Sequence, residues 1–85
     1  MDKTALIRDF IKKNFFVSGD LRENDSLLDR GIIDSTGVLE VVSFLETEFG
    51  IVVLDQEMLP ENLDSIVRIA AYVDRKRAAS AKPAA

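Results

Sequence analysis

A serine hydroxyl stands beside a carboxylate at Asp34-Ser35, where the sequence predicts the start of a helix. The 85 residues include no cysteine and no histidine. Thiol catalysis, disulfides, thiolate metal sites and Ser-His or Cys-His pairs are therefore excluded within this chain. The five lysines lie near the two ends of the sequence among polar residues, where nothing desolvates an ammonium group. We expect a protein that is not an enzyme, with no catalytic residue of its own.

Ser35 could nevertheless be a site of modification. It follows a long loop and lies at or just before the first turn of the predicted helix, so its hydroxyl should be accessible. The amino end of a helix favours an attached anion such as a phosphate. The neighbouring Asp34 could hold a partner's magnesium ion during such a transfer. From the residue types alone, the simpler interpretation is that Asp34-Ser35 only caps the helix.

The acidic residues predict a protein partner and no dedicated metal site. Between residues 20 and 64 there are twelve acidic residues and two basic ones, whereas the rest of the chain is net basic. An acidic surface repels phosphate backbones and attracts basic patches, so we expect no nucleic acid as a partner. A plain solvated surface is the alternative. Four acidic residues of the first loop could suggest a calcium-binding loop: Asp20, Glu23, Asp25 and Asp29. Their spacing does not match that of such a loop, so we predict no metal ligands.

Apolar residues recur at helical spacing in three segments, which predicts an all-α fold. The segments span about residues 4–16, 34–50 and 64–77, with a long first loop over 17–34 and a short helical turn near 55–60. Val38, Val42, Leu45, Phe49, Ile66 and Ile69 are predicted to lie in the core. We therefore expect a small helical bundle of three main helices plus a short helical turn. Residues 1–77 should form a single domain and residues 78–85 a disordered tail.

No apolar run is long enough to cross a membrane, and we expect the first residues not to form a signal peptide. We expect a cytoplasmic monomer that does not insert into membranes.

The segment around Ser35 resembles the acyl carrier proteins and the related peptidyl and D-alanyl carriers. The resemblance covers about residues 4–75. The shared features are Gly31-Ile32-Ile33, Asp34-Ser35, Val38-Leu39-Glu40-Val41-Val42, Leu45-Glu46-Thr47-Glu48-Phe49-Gly50-Ile51, Asp55 and Leu63-Asp64-Ser65-Ile66.

This resemblance implies that Ser35 receives 4′-phosphopantetheine from coenzyme A through a separate phosphopantetheinyl transferase. The arm ends in a thiol that carries acyl or aminoacyl groups as thioesters, in fatty-acid, lipid or secondary-metabolite biosynthesis. Partners would be acyl ligases, acyltransferases or synthases with basic surfaces. The competing hypothesis is a small acidic interaction module without a prosthetic group.

The resemblance also implies a recognition surface on the second helix, where Glu40, Glu46 and Glu48 match acidic family positions. Two residues depart from the family pattern. Thr36 stands where many members have leucine, and Ser43 where fatty-acid carriers often have an apolar residue. Gly37, one turn into the helix, should lower stability by about 1 kcal/mol relative to alanine. These departures favour a specialised carrier over one serving the housekeeping fatty-acid synthase, with partners recognised by Thr36, Glu40, Ser43, Glu46 and Glu48.

Overall fold

The computed structural model describes residues 2–81, which form helices and connecting loops without a β-strand. The helices are α1 Lys3–Asn14, α2 Ser35–Phe49, α3 Pro60–Leu63 and α4 Ile66–Ala81, with a 3-10 turn at Asp55–Glu57. This confirms the predicted all-α bundle of three main helices. No helix among the described residues is long and apolar enough to cross a membrane.

The three long helices enclose one apolar core, to which the first loop adds Leu27. The side chains with almost no exposure are Ile7, Ile11, Leu27, Val41, Leu45, Ile66, Ile69, Tyr72 and Val73. Four of the six predicted core residues are buried, and Val38 and Phe49 are half-buried against the same cluster. α4 packs on both α1 and α2, so it joins the bundle together.

Both ends of α2 lie where the sequence predicts them. The Asp34 carboxylate accepts a hydrogen bond from the Gly37 amide at 2.7 Å, which satisfies one of the unpaired amides of the first turn. Gly50 ends the helix in the left-handed conformation, with φ of 67°, and its amide donates to the Glu46 carbonyl. Glycine suits this position because it carries no Cβ.

Two predicted boundaries were wrong. The helical turn near 55–60 is a 3-10 turn followed by a separate helix, which Pro60 begins rather than ends. Proline favours a first helical position because its missing N–H would have no partner there. α4 runs on to Ala81, into the predicted tail. Alanine is the strongest helix former, so Ala78 and Ala79 extend the helix. The rest of the predicted tail, 82–85, lies outside the described residues.

The connection between α2 and the 3-10 turn is buried on one side only. Ile51 and Val53 lie in the core, whereas Val52 and Leu54 are exposed. This segment has the alternation of a strand. In the structure it connects the helices without a paired strand among the described residues.

Candidate functional site

Ser35 is the first residue of α2, and its side chain is exposed. Within residues 2–81 its hydroxyl makes no hydrogen bond to another side chain or to the main chain. The helix is capped by Asp34 instead. The two residues of the Asp34-Ser35 pair thus have different roles: Asp34 fixes the helix end, and Ser35 presents a hydroxyl to solvent.

Gly37 allows the first turn of α2 to lie close to Phe15, the residue that follows α1. This glycine is buried, and a Cβ placed on it would lie 2.9 Å from Cε1 of Phe15. Phe15 in turn meets Phe10 edge to face, and Phe10 stacks on Phe44 of α2 with ring centroids 4.1 Å apart. Gly37 therefore allows the close approach of an aromatic ring. Sequence reasoning recognised only the loss of helix propensity at this position.

An apolar cavity of about 220 Å³ opens beside Ser35. Its lining residues are Leu27, Leu28, Ile33, Ser35, Val38, Met58, Leu59, Pro60, Leu63 and Asp64. One wall comes from the first loop and α2, and the other from residues 58–63. Sequence reasoning missed the cavity because its walls come from segments far apart in the chain. Two adjacent apolar pairs outside the long helices, Leu27-Leu28 and Met58-Leu59, were the available signal.

Asp64 fixes the loop wall of this cavity to the junction of α3 and α4. Its carboxylate accepts hydrogen bonds from the Ser26 hydroxyl at 2.6 Å and the Leu28 amide at 2.9 Å. Its carbonyl accepts from the Leu27 amide at 2.7 Å. Ser65 caps α4, because its hydroxyl oxygen accepts from the Arg68 amide. Asp64 therefore holds the first loop while Ser65 closes the helix end.

Arg30 orders the opposite side of the first loop. Its guanidinium donates to the carbonyls of Ser18 and Asp20 and to the Asp25 carboxylate, at 2.6 to 2.9 Å. The Arg22 amide and then Arg30 lower the pKa of Asp25 below its ordinary value. Asp25 is thus part of an ion pair inside the loop. Within residues 2–81 no group of three or more acidic side chains is placed to share a metal ion.

The predicted recognition residues of α2 are all exposed, but they do not form one stripe. Each residue of a helix is rotated by about 100° around the helix axis, so the side chains of Glu46 and Glu48 point in directions about 200° apart. The Glu46 carboxylate also accepts a hydrogen bond from the Val53 amide at 3.0 Å. Glu40 and Glu48 form no ion pair within the described residues. Glu40 therefore combines an exposed position on α2 with a carboxylate available to a partner.

Leu39 is an exposed apolar residue that sequence reasoning did not assign to the site. It lies one turn after Ser35, and 58% of its surface is exposed. Leu28 and Leu59, which line the cavity, are also substantially exposed. Exposed apolar surface therefore lies in the same cavity as Ser35 and one turn after it on α2. The signal in the sequence was the four-residue step from Ser35 to a leucine on an otherwise polar helix face.

Comparison with protein-family models gives no match, and comparison with curated proteins gives no match either.

Proposed function

We propose that this chain is a non-catalytic carrier protein of the cytoplasm whose Ser35 hydroxyl is the attachment point for 4′-phosphopantetheine. The observation that carries the proposal is the arrangement at the start of α2. Ser35 offers an exposed hydroxyl with no hydrogen-bonding role in the fold, and it lies at the edge of an apolar cavity. Capping of α2 by Asp34 leaves Ser35 available for modification.

The residues around Ser35 fit a phosphate ester. The first turn of α2 itself carries no acidic side chain, and the carboxylate of the preceding Asp34 accepts a hydrogen bond from the Gly37 amide. Its unpaired amides and the positive end of the helix dipole favour the negative charge. In the transfer, a base of the transferase takes the proton of Ser35 Oγ, the oxygen bonds to phosphorus, the bond between the two phosphates of coenzyme A breaks, and 3′,5′-ADP leaves. When bound, the group supplies a thiol that holds an acyl or aminoacyl group as a thioester.

The direct test is an intact mass after incubation with coenzyme A, magnesium and a broad-specificity phosphopantetheinyl transferase. We expect a gain of one phosphopantetheine, which the Ser35→Ala variant loses completely. This variant should keep the stability of the parent to within about 0.5 kcal/mol, because no hydrogen bond of the fold is removed. Ser18→Ala, the same change at an exposed serine of the first loop, should be modified normally.

A folded protein that gains no mass, even with transferases from its own source, would contradict the carrier proposal. It would favour the small acidic interaction module. If Ser18→Ala also lost the modification, the effect of Ser35→Ala would no longer identify the attachment residue.

Recognition by partner enzymes with basic surfaces is the second part of the proposal. These partners are the transferase and an acyl ligase, acyltransferase or synthase, and we place Glu40 at the centre of their contact. Glu40→Lys should slow modification at low ionic strength, with a smaller defect in high salt, because charge complementarity mainly accelerates encounter. Asp55→Lys makes the same charge change outside α2 and is the control. Equal defects in the two variants would show an effect of net charge alone.

A further inference from the structure

One wall of the cavity beside Ser35 consists of a short segment packed on α4. The segment spans residues 55–63 and contributes Met58, Leu59, Pro60 and Leu63 to the lining. Its only helix, α3, has four residues and packs against α4. A helix this short does not persist without tertiary contacts. The width of the cavity therefore depends on what holds the segment to α4.

Glu57 makes the most direct connection between this segment and α4. Its Oε1 atom accepts three hydrogen bonds: from the Leu54 amide at 3.0 Å, the Tyr72 hydroxyl at 3.0 Å and the Lys76 ammonium at 2.9 Å. Tyr72 and Lys76 lie one turn apart on α4, so the carboxylate bridges two positions of that helix. Lys76, the Leu54 amide and Tyr72 together lower the pKa of Glu57. Burial and Glu57 raise the pKa of Tyr72.

A second connection passes through the main chain of the same residue. The side-chain nitrogen of Asn62 donates to the Glu57 carbonyl at 2.9 Å. The side-chain oxygen of Asn62 accepts from the guanidinium of Arg75 on α4 at 2.8 Å. Apolar anchoring comes from Leu63, which is buried, and from Met58, which is half-buried against the core, whereas Leu59 and Pro60 are exposed. Polar side chains therefore supplement two apolar contacts in holding the segment, whereas the three long helices are held by many buried apolar side chains.

We infer that the contacts of the Glu57 carboxylate with Tyr72 and Lys76 hold residues 55–63, a movable wall of the cavity, against α4. We call these contacts the latch. Release of the carboxylate lets residues 55–63 leave α4 and open the cavity, while α1, α2 and α4 stay folded. Local opening of this kind is expected where few apolar contacts would be lost. The inference does not depend on modification of Ser35, and it concerns the unmodified chain.

Amide hydrogen exchange tests the latch at residue resolution. The amides of Asn62, Leu63 and Asp64 bond within the segment and report its opening. We expect Lys76→Met and Tyr72→Phe to accelerate their exchange at least tenfold, with little change at Ile11 and Leu45 in the core. Lys13→Met removes an ion pair of similar length, to Asp9 on α1, and is the matched control. It should leave residues 55–63 unchanged.

Two results would overturn the inference. Unchanged exchange at Asn62, Leu63 and Asp64 in both variants would show that the latch does not hold the wall. Acceleration that is equal in the segment and the core would show that these contacts support the whole fold. Glu57→Gln separates charge from hydrogen bonding, since it keeps an acceptor and loses the ion pair. It should accelerate exchange in the same three amides by less than Glu57→Ala does.

Discussion

The two sides of this small bundle are held together by different forces. The core formed by α1, α2 and α4 depends on close-packed aliphatic and aromatic side chains that are almost fully buried. The side that contains Ser35 depends in addition on charged side chains bound to main-chain groups, chiefly those of Glu57 and Asp64. Water can replace hydrogen bonds of this second kind, but it cannot replace apolar packing. The candidate site thus lies on the side whose contacts can open without loss of the core.

The largest expected effect comes from a change in the core. Leu45→Ala should lower the free energy of unfolding by about 2–5 kcal/mol, because it leaves a cavity among fully buried side chains. Urea unfolding followed by circular dichroism would measure it. Leu39→Ala makes the same truncation on the exposed face of α2 and should change stability by only about 0.5 kcal/mol. Similar losses in the two variants would contradict the assigned core.

Gly37→Ala probes the point where the core meets the candidate site. A Cβ at Gly37 would lie 2.9 Å from the Phe15 ring, so we expect a loss of about 1–3 kcal/mol from overpacking. Helix propensity alone predicts the opposite sign, a gain of about 1 kcal/mol. Phe15→Leu should recover part of the loss in the double variant, which a double-mutant cycle measures. A stabilised Gly37→Ala variant would show that the ring moves aside without strain.

The helix pattern was predictable from the sequence because it depends on local signals. The apolar spacing from Val38 to Leu45 and the caps at Asp34 and Gly50 define α2 within its own residues. The position of Pro60 was wrongly predicted because a proline can either follow a helix or begin one. Only the neighbouring turn decides between the two.

The candidate site was predictable only in part. Ser35 and its exposure follow from one short segment, whereas the cavity beside it is formed by residues from three parts of the chain. The three hydrogen bonds on Glu57 come from residues up to 19 positions away. No periodicity within one element predicts such contacts. From the sequence alone, a carboxylate among many acidic residues is interpreted as part of the solvated surface, because its partners are not known.

A smaller effect separates the two residues at the start of α2. Asp34→Ala should lower stability by about 1 kcal/mol, since it removes the acceptor for the Gly37 amide. Ser35→Ala should leave stability almost unchanged. Thermal or urea unfolding of the two variants under the same conditions measures the difference. A larger loss in Ser35→Ala would mean that the serine hydroxyl supports the fold, and it would weaken the proposal of a free attachment site.

The smallest expected effect is on how the free energy of unfolding depends on pH, and it involves Glu57. Folding lowers the pKa of Glu57 below its ordinary value of 4.5, chiefly through Lys76. A carboxylate with a lowered pKa stabilises the fold fully above its unfolded-state pKa, and the contribution is lost as pH falls through the folded-state value. The free energy of unfolding should therefore decrease as pH falls below 4.5, and less steeply in Glu57→Gln than in the parent protein. Glu61→Gln removes a carboxylate that forms no ion pair within residues 2–81, and it should keep the parent's slope. Identical slopes in all three proteins would show that the ion pair with Lys76 contributes nothing to stability, and would leave the wall of the cavity dependent on apolar packing like the rest of the bundle.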